Sequence, residues 1–242
     1  MNATAQNSRQ RLRDVVPWRR GNGLPPGQRE LAVFPRFADD PLRRPPVLPT
    51  AGALVVSGAV DRELRVPLRE LVPARARTEI TADFHCVTTW TVRNLQWSGL
   101  PFSTFWSDVV VPTCAPAADA RCVVVEGLDG SRAVLLLDDA LASDVLLADR
   151  LNGEPLDPAH GAPLRLVSPS QYGYKSIKHL HRIEVHLDPP PSTYGSKEHL
   201  RARVHAEERH STIGPRLLRW VYRPAVPATA LVSAWSLRRG PQ

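Results

Sequence analysis

Cys86 stands in DFHCVTTWTVRNLQW (Asp83 to Trp97), behind a strand-like run and ahead of a Trp-rich turn. A thiolate is the side chain that soft metals prefer, so a cysteine at this place is a candidate metal ligand. The same residue also suits a small buried hydrophobe, the usual place of a free cysteine. A second segment, HGAPLRLVSPSQYGYKSIK (His160 to Lys178), offers Arg165, a glycine for close backbone approach, the Ser176 hydroxyl and two lysines. Those donors suit an anionic group such as a phosphate. Lysines at a strand edge are also simply solvated, and Lys175 is read that way.

The other reactive types carry less. Cys114 and Cys122 flank a loop of Ala, Pro and Asp, with Cys122 expected in the core and Cys114 as a loop thiol. An odd count of three cysteines without a CxxC argues against a disulfide framework or a structural zinc site. His179, His181 and His186 share a segment but form no HExxH or facial-triad pattern. His85 next to Cys86 makes a poor nucleophile pair, because neighbouring strand residues point to opposite faces.

The elements that must position these residues are short. Twenty-four prolines argue against a helical bundle and for strands joined by loops. ALVVSGAV and LRVPLREL read as strand, turn, strand and a short helix opening near Pro67. TEITADFHCV alternates and then turns apolar, as a strand entering a core does. LPFSTFWSDVV reads as a short amphipathic helix. RCVVVEGLDG and SRAVLLLDDAL form a hairpin about Asp129-Gly130. Val145 to Arg150, APLRLVSP and HLHRIEVHL supply further strands, and RARVHAEERH is helical at best. The pattern is an α+β domain on mixed, mainly antiparallel sheets.

Residues 1–50 form an extended N-terminal arm that packs through Leu31, Val33, Phe34 and Phe37. Residues 51–190 form the domain. Residues 191–242 form a basic C-terminal arm on the core, with Trp220 and Tyr222 too costly to leave in water. The formal charge of +7 suits an anionic partner, or it reflects arginine-rich composition alone. No export signal is evident, and the longest apolar run, Pro224 to Leu237, is short and broken by Pro227. The cytoplasm is the expected compartment, with no membrane span.

DFHC, with Trp90 four residues on and Trp97-Ser98-Gly99 beyond it, together with HGAPLR and GYKSIK, resembles the sulfite oxidase family. The likeness covers Ala53 to Leu187 and best fits its small, single-domain bacterial members. The resemblance implies an α+β molybdopterin-binding fold and one molybdenum-molybdopterin per chain. Cys86 then becomes the metal ligand and catalytic residue. His160 and Arg165 contact the pterin, Ser176, Ile177 and Lys178 its phosphate end (Ser176 through its backbone), and Gly127 falls at a further pterin-contacting position.

The resemblance also implies oxygen-atom and two-electron transfer at a small oxyanion or sulfoxide-type molecule. No cytochrome-like segment or haem motif accompanies it, so electrons pass to a separate electron-transfer protein or a quinone. Val87-Thr88-Thr89 follows Cys86 where an arginine-rich sulfite pocket is otherwise expected. A cofactor-free basic scaffold or nucleic-acid-binding protein on the same fold is the alternative; intact Cys86, Arg165 and Lys178 weigh against it.

Overall fold

The computed structural model describes residues 23–32, 34–35, 45–49, 52–72, 77–191, 198–224 and 227. Val33 and Phe37 lie outside them. The fold is α+β, with two sheets whose strands pair mainly antiparallel.

The first sheet is organised by β5 (Trp90–Pro101), which pairs with β4 (Thr78–His85), β8 (Leu146–Leu151) and, in parallel, β1 (Arg29–Glu30). β8 carries β9 (Glu154–Pro155) and β10 (Arg165–Val167). The second sheet runs β3 (Leu64–Pro67), β2 (Ala53–Gly58), β11 (Leu180–His186), β6 (Cys122–Gly127), β7 (Arg132–Leu136). β6 and β7 form the hairpin expected at Asp129-Gly130, where Gly130 adopts a φ of 80°. β2 joins β11 in parallel inside the sheet, pairing segments far apart in the chain.

The main core lies between the sheets. Leu54, Val56, Val123, Val125, Leu135 and Ile183 meet Leu100, Leu147 and Leu166 there, all buried. The expected amphipathic helix caps it in three pieces: α2 (Phe102–Phe105), a π turn (Trp106–Val110) and α3 (Val111–Cys114). The only earlier helix among the described residues is α1 (Leu68–Leu71), which opens after Pro67. A fourth, α4 (Leu137–Ala140), follows β7.

Cys114 is fully buried at the end of α3, not a loop thiol, because the helix continues past Pro112 and turns its last residue inward. Cys122 packs with Val124 and Val134 in a separate small cluster. Burial pushes both thiols up, so both stay protonated and inert at neutral pH.

A second core forms on the other side of the first sheet, from Leu31, Phe84, Trp90, Val92, Trp97, Leu146, Ala148 and Val167. Phe34 packs its ring on Phe84 at 4.9 Å and edge-on to Trp97 at 5.9 Å. Phe34 is thus held by aromatic contact, and Arg29–Glu30 by the β1 ladder.

RARVHAEERH is not helical. Tyr172 N–H donates to the Ala202 carbonyl, Val204 N–H donates to the Ser170 carbonyl, and Gln171 and Arg203 make an isolated bridge. These bonds to another segment replace the i to i−4 pattern, and Ala202 and Glu207 take positive φ. Residues 215–224 then form a helix, opening on Pro215, whose fixed φ suits a first turn.

Candidate functional site

β4 ends at His85, and Cys86 begins the tight turn that returns the chain into β5. The turn closes through Cys86 N–H to the Trp90 carbonyl (2.8 Å) and Thr89 N–H to the Cys86 carbonyl (3.1 Å). Thr89 takes a φ of 81°, unusual for a β-branched residue and a local strain held by the surrounding turn. The Cys86 thiol stays half-buried, unlike the other two, with its sulfur 3.1 Å from the Thr88 hydroxyl. A half-buried sulfur in a turn, with a hydroxyl beside it, suits a metal ligand.

Backbone carbonyls of this turn are fastened from distant segments. Gln28 Nε2 donates to the Cys86 carbonyl at 3.1 Å. The Thr91 hydroxyl donates to Gln28 Oε1, and His85 Nδ1 lies 2.8 Å from the same hydroxyl. His85 is buried, which lowers its pKa and leaves the ring neutral at pH 7. Its tie is to Thr91, not to the Cys86 sulfur.

Arg209 closes the other side. Its Nη1 donates to the Val87 carbonyl at 2.6 Å and its Nη2 to the Pro26 carbonyl at 3.1 Å, with the guanidinium 4.8 Å from the Tyr172 ring centre. Glu207 accepts from Nε of Arg209 and from Arg219 of the helix 215–224. Tyr222, on the same helix, feels Cys86: burial first, and then the Cys86 charge, push its phenol up. Arg209 thus fastens the residue after Cys86 from far along the chain, with its own charge paired to Glu207 and its fork spent on two carbonyls. No local motif announces it, and the mixed charges of AEER read as a solvated face.

The second segment reaches the same place through Phe84. Gly173 opens a 3-10 turn (Gly173–Lys175) and lies against the Phe84 ring and the His85 carbonyl so closely that a methyl group would overlap the ring. Arg165 sits over Phe84 at 5.4 Å and over Trp97 at 5.0 Å. Its Nη1 donates to the His160 carbonyl (2.8 Å) and its Nη2 to the Ser176 carbonyl (3.0 Å). The Arg165 side chain is therefore committed inward, and the fork expected to face a phosphate faces two backbone carbonyls instead. Burial pushes its pKa down to about 9, which still leaves it charged at neutral pH.

His160 is held by Asp157, whose Oδ1 lies 2.8 Å from Nδ1, and its ring stacks on Phe34 at 4.8 Å. The Ser176 hydroxyl oxygen accepts from the Ser168 N–H, and the Ser176 N–H donates to the Gly173 carbonyl. Ile177 is buried, and its carbonyl accepts from Leu166 N–H. Lys178 is half-buried and donates to the Ala159 carbonyl at 2.8 Å. Gly127, at the end of β6, lies against Lys178, whose carbonyl a Cβ would overlap. Gly161, at a φ of 107°, lies against Lys178 and Arg165 as well. These contacts link Gly127, His160, Arg165, Ser176, Ile177 and Lys178, and Gly173 of the same loop lies against Phe84 and the His85 carbonyl just before Cys86.

Lys175 is the correction. The sequence suggests a solvated side chain, but it is fully buried, donating to the Val134 carbonyl at 2.6 Å and pairing with Glu198. The 3-10 turn rotates it away from the strand edge and into the second sheet. Burial lowers its pKa and Glu198 opposes that shift.

The residues present fit a metal-carrying pterin. The donor set is a half-accessible soft thiol and a half-buried lysine beside two glycines that let backbone approach closely. Thr89 Oγ1 and Arg165 Nε are buried here with no partner within the protein. A fold of two mixed sheets with a cysteine turn at the rim of an aromatic core defines a class of protein, and comparison bears it out.

The family described as the oxidoreductase molybdopterin binding domain matches residues 44–194. The chain belongs to that family, the molybdopterin oxidoreductases of the sulfite oxidase type, and its cofactor is molybdenum-molybdopterin. It is 36% identical over 138 residues to the oxidoreductase YuiH of Bacillus subtilis, covering 57% of this chain and 67% of that one. It is 31% identical over 158 residues to MsrP of Gluconobacter oxydans, the catalytic subunit of a protein-methionine-sulfoxide reductase, covering 60% of this chain and half of that one. The solved sulfane dehydrogenase SoxCD of Paracoccus pantotrophus shares the fold, with a TM-score of 0.53 and 22% identity over 63% of this chain and 43% of that one.

Proposed function

We propose that this oxidoreductase holds one molybdenum-molybdopterin with Cys86 as the protein ligand and transfers an oxygen atom and two electrons at a small oxyanion or sulfoxide-type substrate. The observation that carries the reading is the half-buried Cys86 thiol, displayed on a turn whose carbonyls are fixed by Gln28 and Arg209. The similarity to a methionine-sulfoxide reductase subunit supports the sulfoxide direction. When bound, the cofactor supplies the centre at which oxygen is exchanged and two electrons are stored.

The chain's own residues do the rest. Thr88 offers a hydroxyl to the Cys86 sulfur and so steadies its negative charge. Arg165 holds the His160 and Ser176 carbonyls at one spacing, which positions the 173–178 loop. Lys178 brings a cation to the phosphate end. Tyr222 keeps its proton at neutral pH beside the Cys86 turn. Reduction of a sulfoxide consumes two electrons and two protons and yields a sulfide and water; oxidation of an oxyanion such as sulfite takes oxygen from water and releases the same count. The electrons pass between this chain and a separate redox protein or quinone. The flanking segments act as arms that complete the cysteine turn, since Gln28 and Arg209 come from them.

Metal and pterin analysis of the purified chain, with turnover of sulfite and a panel of sulfoxides using a soluble dye, tests the reading. Molybdenum and pterin in equal amounts with sulfoxide turnover support it. A chain produced with cofactor supply that holds neither contradicts it.

A further inference from the structure

The helix 215–224 is amphipathic in the reverse of the usual sense. One face carries Leu218, buried, and Arg219 and Tyr222, partly buried, with Arg219 paired to Glu207. Advancing about 100° per residue, Leu217, Trp220, Val221 and Pro224 fall on the opposite face, with Ile213 just ahead on the same side. That face is in water. Trp220 is 75% exposed, Leu217 62% and Val221 58%. A soluble surface rarely gathers large apolar side chains in one stripe unless something covers it.

The charge around the stripe narrows what that is. The chain holds no acidic residue after Glu208, while Arg216 and Arg223 flank the stripe on the helix and Arg238 and Arg239 follow it in sequence. Two copies packed through this face would bring those arginines together, so self-association is disfavoured. Tryptophan and aliphatic side chains beside arginines are the composition of a helix that lies in the headgroup layer of an anionic bilayer.

The geometry points to this helix as a peripheral docking element for an anionic phospholipid surface. It lies in the interface with Leu217, Trp220 and Val221 inserted and Arg216 and Arg223 among the headgroups. No helix of the described residues is long and apolar enough to span the bilayer, so attachment is by one face. The opposite face of the same helix carries Arg219, whose partner Glu207 also pairs with Arg209, the donor to the Val87 carbonyl next to Cys86. The inference stands on the helix surface and is independent of the substrate proposed above.

The test is co-sedimentation of the full, cofactor-loaded chain with vesicles of phosphatidylglycerol and phosphatidylcholine in equal parts, and with phosphatidylcholine alone. Binding is expected on the anionic vesicles, and it should weaken in high salt as screening shortens to about 3 Å near 1 M. The triple variant Leu217→Ser, Trp220→Ser, Val221→Ser should lose about tenfold or more of that binding, since each side chain contributes through buried apolar area. Its turnover with a soluble dye should stay at the wild-type rate, which shows that the fold survives. Failure of the wild-type chain to bind anionic vesicles overturns the inference. So does equal binding by the triple variant, or a dimer broken by the same substitutions without any vesicle binding. None of these outcomes changes the molybdenum content by which the proposed function stands or falls.

Discussion

Arg209 donates to the carbonyl of Val87, 122 residues earlier and one residue past Cys86, at 2.6 Å. The guanidinium is fully buried, paired with Glu207, and bridges the cysteine turn to Pro26 of the N-terminal segment. A buried cation of this kind holds three stretches of chain in one geometry. It does so by direction as much as by charge, since its planar fork serves two carbonyls at once.

Arg209→Met should therefore unfold more easily, by about 3–5 kcal/mol, because Glu207 loses one of its partners and two buried carbonyls lose their donor. Arg209→Lys should recover only part of this, as an ammonium cannot reproduce the fork. Urea denaturation of the three proteins measures it. Equal midpoints would remove the fastening role.

Lys175→Met should cost stability on the same scale, about 3–5 kcal/mol, since it leaves Glu198 buried beside an apolar side chain. The double variant Lys175→Met, Glu198→Gln should be less destabilised than the single one. A double-mutant cycle by denaturant unfolding reads the coupling; strict additivity would show that the two residues act separately.

Acid should loosen the C-terminal segment through Glu208. Its hydrogen bonds from Arg203 come first among the causes that hold its pKa down to about 2, against the ordinary 4.5. A carboxylate with a depressed folded pKa stabilises the fold above its unfolded value and loses that contribution as pH falls through the folded one. The stability gap between wild type and Glu208→Gln should be full above pH about 4.5 and close by pH about 2. A gap unchanged across that window would contradict the pairing.

Gly127→Ala should disturb the loop on which the proposed phosphate end rests. A methyl group there overlaps the Lys178 carbonyl, which is backbone and cannot step aside as a flexible side chain would. The protein should fold with a loss of about 1–3 kcal/mol and retain less pterin per chain. Wild-type pterin content in a folded Gly127→Ala chain would show that this contact does not govern the loop.

Much of this fold is legible in the sequence where local pattern decides. The Asp129-Gly130 hairpin, the strand after HGAPLR and the helix after Pro101 follow from turn residues and periodicity. The places where reading fails are those settled by contacts across the chain. Lys175 looks like a solvated lysine until the 3-10 turn points it at Glu198, twenty-three residues on. RARVHAEERH has helical composition, yet its backbone bonds are taken by residues 170–172. Trp220 reads as an anchor into the core and instead stands in water, because the helix turns Leu218 inward. Within the site, Cys86 and the 160–178 segment are visible as motifs. Gln28 and Arg209 are not, since a single glutamine and a single arginine carry no spacing.

The most direct test is the molybdenum centre of Cys86→Ser. A hydroxyl cannot replace a soft thiolate as ligand, while the change in volume is small. The variant should fold as wild type and keep pterin through the loop at Lys178. Its metal absorption should lose the cysteine-thiolate-to-metal bands while those from the pterin's own sulfur donors remain, and turnover should be absent. Cys114→Ser and Cys122→Ser should leave those bands unchanged. A Cys86→Ser protein with the wild-type metal spectrum and turnover would contradict the assignment of Cys86 as the ligand.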